Sequence, residues 1–318
     1  MGLSSLFNKK VVSIDLGSYE TKVVEGRIKN KEVEINKYFS FLTPEKAYEN
    51  GYIINKELLS YSLEEGLSKN EIRTKNAYMN IKSSSVFTRE ITLPNVGKEE
   101  IDGILKYKLE EYLPIETKEY IVQYRIVEKI EENYRQKQNI LLIAIPKEIV
   151  EGHFCLLKNI GLEPKVLDFQ SNSIAKLIDY SFSINNKYET KEKTFALIDL
   201  GHSNTNITIL KDGYIQVARI IDVGGKDLKK DIVNESAEDI MGKIHTVFKY
   251  YISREIENEI HSILLCGGLS NIENVDKLFE DYYNIPTILI ENIDGIFIMK
   301  DTNKYMNCIG SLIRNEDE

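Results

Sequence analysis

One short pattern occurs twice in this chain, and the recurrence limits its fold more than any other feature. Val11 to Lys22 reads V-V-S-I-D-L-G-S-Y-E-T-K, and Phe195 to Asn206 reads F-A-L-I-D-L-G-H-S-N-T-N. Each is an apolar, strand-like run that ends in an aspartate and opens into a glycine turn. Aligning Asp15 with Asp199 pairs Leu16 with Leu200, Gly17 with Gly201 and Thr21 with Thr205. Two further strand-like runs follow each copy: Lys22 to Ile28 and Glu32 to Phe41 in the first, Ile207 to Leu210 and Tyr214 to Ile221 in the second. A strand, an acidic turn and an antiparallel hairpin, repeated once, predict two similar α/β halves whose acidic turns face each other across a cleft.

The turns suit a bulky anion. Gly17 and Gly201 let the backbone pass close to it with no Cβ in the way. The N–H and hydroxyl groups of Ser18, Tyr19 and Thr21, and of His202, Ser203, Asn204 and Thr205, are candidate donors to phosphate oxygens. Lys22 brings a positive charge, and Asp15 and Asp199 can hold waters around a divalent cation. Taken alone, such a turn is also a common hairpin, and His202 also reads as an ordinary loop histidine. A third stretch, S-I-L-L-C-G-G-L-S-N at Ser262 to Asn271, runs from a strand into Gly267, Gly268, Leu269 and Ser270, where backbone can approach a flat ring and a ribose.

Order and spacing of these three stretches resemble the phosphate-1, phosphate-2 and adenosine motifs of the actin-like ATPase superfamily. The resemblance implies an α/β, actin-like or ribonuclease-H-like fold, with two halves around a nucleotide cleft that takes ATP and Mg²⁺. Gly224 and Gly225, after the second hairpin, fit the same pattern. Gln170, in L-D-F-Q-S-N-S between the halves, matches the water-orienting glutamine of actin-type proteins and reads equally as a helix-start amide. With Asp199 it is the candidate catalytic group.

The chain's 318 residues are too many for one ordinary core. A net charge of −9 argues against non-specific nucleic-acid binding. No run approaches the roughly 18 apolar residues of a membrane span. The expectation is a cytoplasmic protein that meets the inner face of the membrane only through partners. Cys155, Cys266 and Cys308 lie far apart in sequence and read as small buried apolar residues.

After the strand Asn76 to Lys82, the first half carries an insert that the second lacks. Val86 to Leu93 reads as a strand, and Lys98 to Leu113 as a helix with Ile101, Ile104, Leu105, Leu109, Tyr112 and Leu113 on one face. Tyr120 to Lys129 and Asn139 to Ile145 are strands, and Lys147 to Asn159 is a helix stopped at Gly161. The wording T-R-E-I-T-L-P at Thr88 to Pro94, E-E-I-D-G-I-L-K-Y-K-L-E-E-Y-L-P-I at Glu99 to Ile115, N-G-Y-I-I-N at Asn50 to Asn55, A-I-P-K-E-I-V at Ala144 to Val150 and G-L-E-P-K-V-L-D at Gly161 to Asp168 resembles the PilM family of type IV pilus assembly proteins.

That resemblance implies a first-half core at 1–84 completed by 164–192, an FtsA-type β-α-β-β-α subdomain at 85–163, and a second half at 193–318 with a short helical lid over 226–260. It also implies a partner: the cytoplasmic N-terminal tail of a PilN-like membrane protein, held between the first-half core and the inserted subdomain, with a link to the pilus assembly ATPase complex. Self-association into a homo-oligomer or ring stays open. The nearest rival is an FtsA-like cell-division protein. The acidic stretch from Ile313 to Glu318 differs from the basic amphipathic membrane helix expected there.

Overall fold

A computed structural model of the protein describes residues 9–30, 32–132, 135–225, 235–296 and 301–314. β1 (Val11–Asp15) is buried along its length, as an apolar strand covered on both faces must be. It continues through the Gly17 turn into β2 (Glu20–Lys29) and β3 (Glu32–Leu42). α1 (Lys56–Lys69) starts where the Asn55 side chain accepts a hydrogen bond from the Leu58 N–H at 3.0 Å. It buries Leu59, Leu63 and Leu67, whereas Leu58, beside that stripe, is 46% exposed. β4 (Asn76–Ile81) completes this segment.

The insert follows as β5 (Phe87–Pro94), α2 (Lys98–Tyr112), β6 (Tyr120–Glu132) and β7 (Arg135–Pro146). These strands form a separate antiparallel sheet in the order β5-β7-β6. Ile91, Leu93, Ile140 and Leu142 of the sheet pack against Ile101 and Leu105 of α2. α3 (Lys147–Asn159) ends at Gly161, whose φ of +71° is the left-handed stop that glycine tolerates. It does not stay with the insert. Its Leu156 and Leu157 pack beside Leu59 and Leu63 against Val12 and Ile14 of the first-half sheet. Sequence periodicity shows that such a helix has an apolar face, but not which of two sheets that face covers.

β8 (Glu163–Phe169) leads directly into α4 (Gln170–Tyr180). The second half contains β9 (Thr194–Leu200), β10 (Thr205–Lys211), β11 (Tyr214–Ile221), α5 (Glu235–Ile252), β12 (Ser262–Cys266), α6 (Val275–Tyr283), β13 (Thr287–Leu289) and α7 (Thr302–Leu312). The sheets run β3-β2-β1-β4-β8 and β11-β10-β9-β12-β13, the same order with the same parallel and antiparallel pairings. The duplication legible in the two acidic turns therefore extends to whole sheets.

Within the segment expected to be a lid, α5 packs into the core. α5 buries Ile240, Met241, Ile244, Phe248 and Tyr251 against Ile198, Ile207, Ile209 and Ile263. An amphipathic helix on an uncovered sheet face gains more by packing there than by standing over a cleft. Residues 226–234 of the expected lid lie outside the described residues, as do 315–318 of the acidic end. Cys266 and Cys308 are buried as expected, while Cys155 is exposed on α3. No helix among the described residues is long and apolar enough to cross a membrane.

α4 and α7 lie between the two sheets, where Ile174, Leu177, Tyr305, Met306 and Ile309 pack with Val24, Leu197 and Leu264. They cross at Gly310, where a Cβ would collide with the Ser173 carbonyl on the facing backbone. Gly310→Val is expected to force the helices apart and cost about 1–3 kcal/mol, the usual penalty of overpacking a core. The thermal unfolding midpoint should fall by several degrees; an unchanged midpoint would show that the crossing is not tight.

Candidate nucleotide site

The acidic turns end equivalent strands, so the two halves bring them to one place. Between them lies a cavity of about 380 Å³, walled by Asp15, Gly17, Ser18, Tyr19 and Lys22 from one half and Asp199, Gly201, His202, Asn204, Gly268 and Leu269 from the other, with Gln170 at its side. That volume is within the range of small-molecule sites. None of the described residues of 235–260 lines it. The turns also touch. The Ser18 and Ser203 hydroxyls share a hydrogen bond at 2.8 Å, and the Tyr19 and His202 rings stack with centroids 4.7 Å apart. His202 is thus a wall residue paired across the cleft.

Several expected phosphate donors point elsewhere. Along β2 successive side chains alternate faces, so Lys22 enters the cavity and Thr21 is buried behind it, hydrogen-bonded to the Thr43 hydroxyl at 2.8 Å. The equivalent Thr205 is also buried and donates to the Val223 carbonyl at 2.9 Å. Both threonines support the turn from beneath. Ser270 donates to the Gly267 carbonyl at 2.7 Å and accepts from Asn303, which ties its hydroxyl into its own loop.

Gly224 and Gly225 lie under the second turn. The Gly225 N–H donates to the Gly201 carbonyl at 3.0 Å, and a Cβ on Gly224 would come within 2.6 Å of the Asn204 nitrogen. Gly267, with φ of +93°, packs as closely on Leu200. Gly224 lets backbone approach backbone, whereas a Cβ on Gly225 would strike the Leu269 side chain and one on Gly267 the Asp199 carboxylate.

Two buried carboxylates meet at the centre. Asn307 on α7 donates to Asp15 Oδ2 at 3.1 Å and to Asp199 Oδ2 at 3.2 Å. Lys22 Nζ is 4.0 Å from Asp15, and Lys82 Nζ is 3.7 Å from Asp199. Burial opposes ionisation of Asp199, but the Lys82 and Lys22 ammoniums, with the Asn307 and Gln170 amides, outweigh it and hold its carboxyl below the usual range. For Lys22, burial pulls the other way, and Asp15, Asp199 and Glu20 keep its ammonium above the ordinary value.

A carboxyl held below its usual range is a weaker general base than an unperturbed one. Gln170 donates to Asp199 and accepts from the Asn206 amide at 3.2 Å, so both ends of its side chain are engaged. This is the arrangement of a satisfied helix-start amide.

The described residues contain no cluster of three or more His, Cys, Asp or Glu able to hold a metal. Mg²⁺ usually keeps several waters and takes one or two carboxylates together with phosphate oxygens. Asp15 and Asp199 fit that role for a metal that enters with its phosphates.

Sequence reasoning missed Lys82 and Asn307. For Lys82 a signal existed: β4 pairs Asn80 with Asp15 as β12 pairs Cys266 with Asp199, so Lys82 is the counterpart of Gly268. Extending the repeat to that strand places it at the cleft. Asn307 had no such marker; it sits on a buried helix, and only the fold brings it to the aspartates.

A family model described as type IV pilus assembly protein PilM matches residues 13–240. The chain belongs to the PilM family. The match takes in both acidic turns, Lys82 and the inserted sheet, and stops before the Gly267 loop and α7. Among solved structures, a PilM-PilN type IV pilus biogenesis complex is similar over 96% of this chain and 98% of that one, with a TM-score of 0.82 and 16% identity. The ethanolamine utilization protein EutJ of Carboxydothermus hydrogenoformans matches over 96% and 89%, at TM-score 0.56 and 12% identity. A Bacteroides thetaiotaomicron protein with actin-like ATPase fold and unknown function matches over 98% of each chain, at 0.52 and 13%. The fold of this PilM-family chain is accordingly the actin-like ATPase fold.

Tyr48, also on the cavity wall, is braced from behind by His153 of α3. The Tyr48 hydroxyl donates to His153 Nε2 at 3.3 Å, while Nδ1–H donates to the Ile149 carbonyl at 2.7 Å. Burial pushes the imidazole down to about 4 from an ordinary 6.5. The neutral ring therefore contributes stability that is complete above pH 6.5 and is lost as pH falls toward 4. The slope is at most about 1.4 kcal/mol per pH unit for one proton. Denaturant unfolding of wild type and His153→Gln between pH 7 and pH 4.5 should show a shallower pH dependence in the variant. Parallel curves would remove His153 from the acid response.

Proposed function

We propose that this chain is a cytoplasmic, ATP-binding scaffold of the type IV pilus assembly machinery. On this reading it holds the cytoplasmic N-terminal tail of a PilN-like membrane protein and links it to the assembly motor. It reaches the inner face of the membrane through that partner. The observation that carries the partner half of the reading is a groove of about 1360 Å³ between the inserted module and the first-half sheet.

Two strand edges line this groove. β8 is an outer strand of the first sheet and β6 an outer strand of the inserted sheet, and Lys165–Asp168 of one and Val122–Ile126 of the other are among its walls. An edge strand offers unpaired backbone donors and acceptors to an extended peptide. Tyr107 of α2 and Ile126 of β6, both exposed, add apolar surface for anchoring side chains. The solved relative described as a PilM-PilN complex supports PilN as the occupant.

The nucleotide half rests on the paired glycine turns, Lys22 and the cavity between them. With Asp199 held ionised and Gln170 engaged at both ends, the site favours binding and slow turnover over rapid hydrolysis.

Calorimetric titration of the full chain with the tail peptide, with and without Mg-ATP, tests the first half. Saturable one-to-one binding at micromolar affinity, lost on scrambling the peptide, is expected; no binding in either state would sink it. Any change in peptide affinity with ATP must appear equally as a change in ATP affinity with peptide. For the second half, Lys22→Ala removes a charge-assisted bond of about 1.5–3 kcal/mol and should weaken ATP about ten- to a hundredfold. A loss below about twofold would place Lys22 outside the site.

A further inference from the structure

Lys82 belongs to none of the three sequence motifs, yet its ammonium stands in the cleft. It follows β4 in the first half and reaches the second, where its Nζ lies 3.7 Å from Asp199 Oδ2 and 3.0 Å from the place a Cβ on Gly201 would occupy. Its side chain is only 12% exposed, unlike the solvated lysine of a surface ion pair. An anion cradled by the Gly201 turn would meet this ammonium, as one at the Gly17 turn would meet Lys22, whose Nζ is 3.6 Å from the corresponding position on Gly17.

Charge in the cavity is balanced without help. Asp15 has Lys22, Asp199 has Lys82, and Asn307 donates to both carboxylates. Glu20, a third carboxylate on the wall, is paired with Lys304 at 2.5 Å. When carboxylates in a phosphate site lack such partners, a divalent cation is needed to offset their repulsion of the incoming phosphates. Here two lysines supply that charge, one at each turn.

We propose that Lys82 is a second cationic anchor of the phosphate tail, and that through it the cleft binds a nucleoside triphosphate without requiring a divalent cation. The proposal rests on the nucleotide reading given above. Lys82 exchanges part of its contact with Asp199 for the terminal phosphate. Asp199 keeps the Asn307 and Gln170 amides meanwhile.

The test is calorimetric titration of the full chain with ATP, in excess Mg²⁺ and in EDTA, for wild type, Lys82→Met, Lys82→Gln and Lys82→Arg. Wild type is expected to bind in EDTA within about tenfold of its affinity in Mg²⁺. Lys82→Met and Lys82→Gln should lose about ten- to a hundredfold in EDTA and less in Mg²⁺, and Lys82→Arg should recover most of the loss. A merely structural lysine would not produce a loss that depends on the metal. Two uncharged replacements of different polarity keep the result readable if one fails to fold.

Wild-type binding with both uncharged variants within about twofold of it in EDTA would overturn the assignment of Lys82 and leave the nucleotide site standing. Wild-type binding abolished by EDTA would overturn the metal-independent binding and leave the nucleotide site standing. No binding by wild type in either buffer would overturn the nucleotide reading and this inference with it.

Discussion

Two buried carboxylates of like charge, Asp15 and Asp199, stand together at the centre of this molecule, and the surrounding structure has to make that tolerable. In a low-dielectric interior an unpaired charge is expensive, and two of the same sign are worse. Asn307 answers both at once, and Lys22 and Lys82 bring one positive charge to each. Asn307 can do so only because α7 runs between the sheets, and α7 can run there only because Gly310 lets it press against α4. Helix crossing, sheet duplication and site electrostatics are thus one arrangement.

The inserted module is tied into this arrangement on two sides. Its β5 contacts β11 of the second half through Arg219, which donates to the Thr88 hydroxyl at 3.0 Å, and the loop after α5 through Arg254, which donates to Glu90 at 2.8 Å; just before β5, Ser84 donates to Asp222 at 3.2 Å. On the other side the groove shares β8 with the first sheet, and β8 passes without a break into α4 at Gln170. The strand that walls the groove therefore ends at the wall of the cavity between the two turns. A change at either place has a continuous backbone path to the other.

Much of the fold was legible in the sequence because it is written twice. The Asp-Leu-Gly turns fixed the two halves, and the runs after them matched β2, β3, β10 and β11 to within a few residues. Misreadings arose where local pattern meets tertiary choice. α3 and α5 were recognisable as helices, but periodicity does not say which sheet a helix covers, so one was assigned to the insert and the other to a lid. Thr21 and Thr205 aligned correctly with each other. The alternation of β2 and the partner of Thr205, not the alignment, decide that their hydroxyls turn away from the cavity. Asn307 was out of reach because a buried helix carries no motif of its own, whereas Lys82 shows only when the repeat is extended to the end of β4.

The two contacts between the turns have a geometry of their own. In the aligned repeat Ser18 corresponds to His202 and Tyr19 to Ser203, yet the observed pairs are Ser18 with Ser203 and Tyr19 with His202. Each position meets the other position of its twin, the reciprocal pattern of a two-fold interface between identical subunits. The mouth of the cleft is therefore fastened like a miniature homodimer inside a single chain. The two contacts differ in chemistry, a hydroxyl hydrogen bond and a ring stack, but they bridge the same gap, so the turns cannot part without losing both.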